Sequence, residues 1–152
     1  MLRAMSDQAL LEAGLEAGLE PWLRAFVQQH GGVAGTIHLR GPADPTLALR
    51  AAVNIPPKVM EIVATIPKGK GMAGLAWERD EPVYTCNLKT DTTGDVRPGA
   101  KAVDANAAVA IPIHDARGEI RGVVGIAFMG ERDITQAELD VLRKQAEALP
   151  AS

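Results

Sequence analysis

The apolar positions of this chain change period at Gly31-Gly32. Before that pair, Leu11, Leu15, Leu19, Trp22, Leu23 and Phe26 recur at spacings of three and four, which places them on one stripe of an amphipathic helix. Pro21 interrupts the stripe and predicts either a kink or a second helix with Pro21 in its first turn. After the glycine pair the period falls to two. In GTIHLRG, Ile37 and Leu39 alternate with Thr36, His38 and Arg40, the pattern of a half-buried strand. TLALRAAV follows the turn PADP as a second strand, with Leu47, Leu49, Ala51 and Val53 expected on one face and the two strands forming a hairpin.

Pro57 opens a short helix over KVMEIVATI, and a second short helix is expected from about Met72 to Glu78. PVYTCNL reads as a strand. The polar segment from Leu88 to Ala105 is a long loop, of a length that is uncommon unless it carries function or is disordered. AVAIPI puts Val109, Ile111 and Ile113 on one face, and EIRGVVGIAF returns antiparallel around Gly118, with Ile120, Val124, Ile126 and Phe128 inward. The last helix has the clearest start: Thr135 and Glu138 make the capping box T-x-x-E, Ile134 and Leu139 a hydrophobic staple, and Leu139, Leu142, Ala146 and Leu149 the buried stripe. Hairpins without a regular β-α-β alternation predict an α+β domain built on an antiparallel sheet. Residues 1–30 form an N-terminal amphipathic helical segment, and residues 31–152 the domain with which it makes one unit.

Composition narrows the function. A chain of 152 residues is long enough for one domain with a hydrophobic core. A net charge of -3 and few aromatics argue against nucleic acid as a partner, and no apolar run approaches a membrane span. The single cysteine, Cys86, excludes an internal disulfide and suits a reducing, cytoplasmic setting. No Cys/His cluster has metal-ligand spacing, and neither a metal nor a cofactor is expected.

The segment GKGMAG matches G-x-G-x-x-G through Gly69, Gly71 and Gly74, with Asp91 about twenty residues on, as in a dinucleotide-binding turn. The antiparallel hairpin that follows is not the parallel unit such a turn requires. Two readings of the glycines remain open. They allow a tight turn and close packing, or they open a helix whose backbone N–H groups, beside Lys68 and Lys70, seat an anionic group. Trp77 and Tyr84 flank the passage into the Cys86 strand and are candidates for a pocket wall or for core filling. Cys86 is either a small inert thiol or a nucleophile, and a nucleophile would need a neighbour such as His114 to lower its pKa. Within LKTDTTGDVRPGAKA, the Arg97 guanidinium could pair with Asp91, Asp95 or a ligand carboxylate or phosphate.

The succession PKGKGMAGLAWERDEPVYTCNL, a polar loop, AVAIPIHDARGEIRGVVGIAF and DITQAELDVLRKQA resembles a GAF domain. The resemblance rests on Gly71 and Gly74 leading a helix, on Pro82 before a strand, and on the strand from Ala110 to Ile113. Gly122, Gly125 and the closing helix complete it, over Gly32 to about Leu149. It implies a central antiparallel sheet flanked by the N- and C-terminal helices, with helices on one face and a pocket on the other. The pocket would be roofed by the segments after the second strand and by the loop after Leu88. The resemblance also implies a non-catalytic sensor that binds a small polar or anionic ligand and signals through a separate protein. Homodimerisation would run through the terminal helices. In that scheme Gly71, Met72, Leu75, Trp77, Tyr84 and Cys86 line the pocket, and Asp95, Arg97 and Lys101 close it. One alternative is an enzyme resembling the free methionine-R-sulfoxide reductases, in which Cys86 attacks and an external thiol resolves. Another is a purely structural dimerisation module.

Overall fold

The computed structural model describes residues 7–41, 46–85, 106–130 and 133–150, with side chains from Gly18 onward. Helix α1 (Asp7–Gln29) leads into β1 (Ala34–Arg40) and β2 (Thr46–Val53). Next come α2 (Pro57–Ile62), β3 (Thr65–Pro67), α3 (Gly71–Arg79) and β4 (Val83–Thr85), and the chain closes with β5 (Ala107–His114), β6 (Ile120–Phe128) and α4 (Gln136–Ala146). The strands form one six-stranded sheet in the order β3-β2-β1-β6-β5-β4. Every neighbouring pair in it is antiparallel. No helix among the described residues is long and apolar enough to cross a membrane.

Both faces of the sheet are covered. On one face Leu19, Leu23, Phe26 and Val27 of α1, with Leu139, Leu142 and Ala146 of α4, pack on Ile37, Val109, Ile111, Val124 and Ile126. Trp22 stacks on Phe26 with ring centroids 5.1 Å apart, and Phe26 meets His30 edge-on. The helix α1 passes through Pro21 as a single element, so the alternative of a second helix is not what forms. An interior proline costs about 3 kcal/mol. Burying the four side chains Leu19, Leu23, Phe26 and Val27 gives back roughly 6–12 kcal/mol, so packing decides. The close approach of α1 depends on Gly35, where a Cβ would lie 2.7 Å from Val27 Cγ2.

At α4 the expected start is present in full. Thr135 Oγ1 accepts from the Glu138 N–H at 3.1 Å, and the Thr135 N–H donates to Glu138 Oε2 at 3.4 Å. Ile134 and Leu139 are both buried.

Two strands depart from simple alternation. The β1–β2 pairing runs Ile37 to Ala51 and then His38 to Leu49, which makes Arg50 the extra residue of a β-bulge. The bulge switches parity, so Ala51 and Val53 face α1 while Leu47 joins Ile66, Trp77 and Val123 on the other face. The four β2 residues therefore do not share one face. A second bulge, at Arg121, does the same on β6: Ile113 pairs with Gly122 and His114 with Ile120. Ile120 consequently packs on the α3 side, unlike Val124, Ile126 and Phe128. Strand β3 corrects the reading of KVMEIVATI as all helix. The helix stops at Ile62, and Thr65 and Ile66 add an edge to β2, with Pro67 at the strand end where a missing N–H costs least.

Candidate functional site

The face of the sheet opposite α1 and α4 carries a cavity of about 140 Å³. Its floor comes from alternate residues of three central strands: Ala34, Thr36 and His38 of β1, Val123, Gly125 and Ala127 of β6, and Ala108 and Ala110 of β5. Most of these side chains are small, and that leaves the space. Val59 on α2, Ile55 and Val63 at its ends, Ile66 on β3, and Gly71, Met72 and Ala73 at the start of α3 form the roof. Lys70 stands at the rim, exposed.

His38 is the buried polar group of this wall, only 2% exposed. Its Nε2 lies 2.8 Å from the Val63 carbonyl oxygen, which can only accept, so Nε2 carries the proton. In the neutral ring Nδ1 is then an acceptor, and it has no hydrogen-bond partner among the described residues. Burial pushes the His38 pKa down, and the Val63 bond only partly opposes it. The Nε2 bond also ties the floor to the segment just after α2, across twenty-five positions of sequence.

The residues expected from sequence separate into three groups. Gly71 and Met72 line the cavity. Leu75, Trp77 and Tyr84 do not. One turn further along α3, Leu75 and Trp77 pack against Ala76, Val83 and Ala110, and Lys68 Nζ sits 5.5 Å from the Trp77 ring centroid. Tyr84 is 47% exposed on β4, because Val83 and Thr85 take the buried positions on either side of it. Cys86, Asp95, Arg97 and Lys101 lie outside the described residues.

The glycines serve the turn. Gly69 and Gly71 have φ of 81° and 69°, and the Gly69 N–H is donated to the Gly74 carbonyl at 2.9 Å. Gly71 thus starts α3 from a backbone conformation that other residues rarely adopt. His114 is not a neighbour of the cavity. At the end of β5 it bridges the end of α3 on one face of the sheet and the end of α4 on the other, with Nε2 2.6 Å from Asp80 Oδ1 and Nδ1 2.6 Å from Glu147 Oε1.

Sequence reasoning missed His38, which it placed among the polar residues of a half-exposed strand. The signal was absent locally, because only the packing of α2 and α3 makes that face an interior.

A sheet with helices on one face and a roofed, small-residue cavity on the other is the architecture of a small-molecule-binding domain. The chain belongs to the GAF domain family, whose profile matches residues 5–149. Among solved structures it is similar to the type II free methionine-R-sulfoxide reductase from Thermoplasma acidophilum (TM-score 0.71, 15% identity, covering 91% of this chain and 92% of that one). It is likewise similar to the GAF domain from Acinetobacter phosphoenolpyruvate-protein phosphotransferase (TM-score 0.67, 19% identity, 95% and 93% covered). A third is the GAF domain from a phosphoenolpyruvate-protein phosphotransferase from Coxiella burnetii (TM-score 0.68, 20% identity, 87% and 80% covered). At such identities the likeness is one of fold. No curated protein sequence matches the chain.

Proposed function

We propose that this chain is a sensor domain that binds a small polar or anionic molecule in the cavity between the sheet and α2–α3, without turning it over. The observation that carries this reading is the cavity itself: an apolar space of about 140 Å³ with one buried imidazole in its wall. A site of that kind binds by shape and fixes orientation by few polar groups. Asp95, Arg97 and Lys101 are proposed as its cover on the sequence alone, and Arg97→Ala is then expected to weaken binding. A reducing cytoplasm suits the lone cysteine.

The output would pass to a separate protein or a second copy through α1 and α4. These helices pack on the reverse of the same strands that floor the cavity, so a shift of β1 or β6 is felt by both. Val141 on α4 and Met129 after β6 are 53% and 59% exposed, an apolar surface for a homodimer. Sedimentation of wild type against Val141→Asp tests that part, with loss of the dimer expected.

Native mass spectrometry of the purified chain tests the binding reading. A small molecule held by the wild type and lost in Ala127→Leu, which fills the cavity, is the expected result. Absence of any bound or stabilising small molecule, across a screen read by thermal shift, would remove it.

A further inference from the structure

His114 has a carboxylate on each side of its ring. Nε2 lies 2.6 Å from Asp80 Oδ1 and Nδ1 2.6 Å from Glu147 Oε1. An ionised carboxylate only accepts, so both contacts are hydrogen bonds only when both ring nitrogens carry protons. A neutral ring has one N–H, and the carboxylate opposite its bare nitrogen faces a lone pair. One of the two contacts therefore fails when the ring is neutral.

The surroundings decide which. Glu147 is tied to the same corner twice more: Oε2 accepts the His114 backbone N–H at 3.2 Å, and its charge acts on Arg121. Among the described residues, the Asp80 carboxylate is held to the corner by the ring alone. Asp80 also caps α3 in the left-handed region, with φ of 52°, where a non-glycine residue is strained unless its surroundings hold it.

We propose that His114 is a proton-operated latch on α3: doubly protonated, it holds the ends of α3 and α4 to one corner of the sheet, and on losing its Nε2 proton it releases Asp80 and keeps Glu147. The charges acting on the ring are Asp80 from α3 and Glu147 from α4, with Asp115 of the following turn and Arg121 of β6 beside them. Asp115 is committed to its own turn by the Arg117 and Glu119 N–H groups. Burial lowers the His114 pKa, and the bonds and charges of Glu147 and Asp80 more than reverse it. The latch is thus closed below about pH 6.5 and opens as pH rises through the raised folded-state value.

Helix α3 carries the change to the cavity. Its nine residues run from Gly71 and Met72, which line the cavity, past the buried Ala76 and Trp77 to Asp80 at its end. With Ala76 and Trp77 as the pivot, a release at Asp80 is felt at Met72. As a control on ligand entry the latch rests on the reading of that cavity as a binding site, whereas the latch itself does not.

NMR of the full, ligand-free chain from about pH 6 to about pH 9 reads the latch directly. As pH rises, 15N imidazole spectra should show His114 Nε2 losing its proton and Nδ1 keeping it. The Met72 and Ala73 amide signals should shift with the same midpoint. Protection of the last-turn amides of α3 against hydrogen exchange should fall roughly 1.5-fold to fivefold, with α4 unchanged. Asp80→Asn is the matched variant, because asparagine also tolerates the left-handed region and its amide offers an acceptor to a charged ring or a donor to a neutral one. There the α3 protection should not vary with pH. Loss of the Nδ1 proton instead, equal loosening of α3 and α4, or Met72 and Ala73 signals that ignore the His114 titration overturns the proposal. So does α3 protection that falls in Asp80→Asn as it does in the wild type. With no ligand added, these outcomes leave the ligand reading untouched, and a chain that binds no small molecule leaves the latch in place.

Discussion

His114 offers the prediction with the most defined sign. It ends β5 and reaches both sheet faces, with Asp80 at the end of α3 on one side and Glu147 at the end of α4 on the other, each at 2.6 Å. Burial alone would lower the His114 pKa, but hydrogen bonds and charge from Glu147 and Asp80 outweigh it and hold the pKa above the ordinary 6.5. The stabilisation is therefore fully present below about pH 6.5 and is lost as pH rises through the raised folded-state value. The carboxylates are 55% and 40% exposed, so each pair is discounted to about 0.2–1 kcal/mol, or about 0.4–2 kcal/mol together. For a chain of this length that corresponds to roughly 1–8 °C in melting temperature.

Thermal melts of wild type and His114→Gln, taken at intervals from about pH 6 to about pH 9, read the effect as a difference between the two proteins. That difference should be largest at the acid end and shrink as pH rises. His38 and His30 have lowered pKa values and act in the opposite sense, with stability present above the ordinary value and lost as pH falls. Both are common to the two proteins and cancel in the difference. Among the described residues, Arg121 feels the charges of Glu147 and Asp115 beside this junction. The Arg121 guanidinium donates to the Leu149 and Pro150 carbonyls at 3.1 and 2.7 Å and keeps the end of α4 in place when His114 is changed. A difference that is constant with pH, or that grows with it, would refute a charged clamp.

Gly35→Ala would place a Cβ 2.7 Å from Val27 Cγ2, 3.0 Å from Leu23 Cδ1 and 3.1 Å from the Gly125 carbonyl oxygen. Pushing α1 off the sheet in this way is expected to cost about 1–3 kcal/mol in urea unfolding. Thr135→Ala removes the capping-box acceptor of α4 and should cost about 1 kcal/mol by the same measurement. Free methionine-R-sulfoxide with a thiol reductant is expected to give no turnover, and turnover that disappears in Cys86→Ser would replace the sensor reading with an enzyme.

Much of the fold was legible because its signals are local. The capping box of α4 and the turn at Gly118 each span four residues, and the alternation in β5 was read correctly at Val109, Ile111 and Ile113. The errors fell where a distant strand decides. Nothing inside TLALRAAV announces that Arg50 is a bulge, because a bulge is defined by the partner strand it fails to match. Of the nine site residues read from the sequence, two line the cavity, three do not, and four lie outside the described residues. Gly71 and Met72 sit where a glycine-led helix over a sheet would place them, whereas Trp77 and Tyr84 were judged by their chemistry and not by the direction their backbone gives them.

The sequence by itself determined an α+β chain of the GAF type, its hairpins, the terminal helices and the start of α4, since periodicity and capping depend on neighbours within a turn or two. Tertiary structure alone decided that the Thr36–His38 face is an interior. That outcome requires α2 and α3 to close over β1, and it converts a polar strand residue into a buried acceptor on the wall of a cavity. Burial is a property of what packs above a residue, and that is set by contacts far away in the chain.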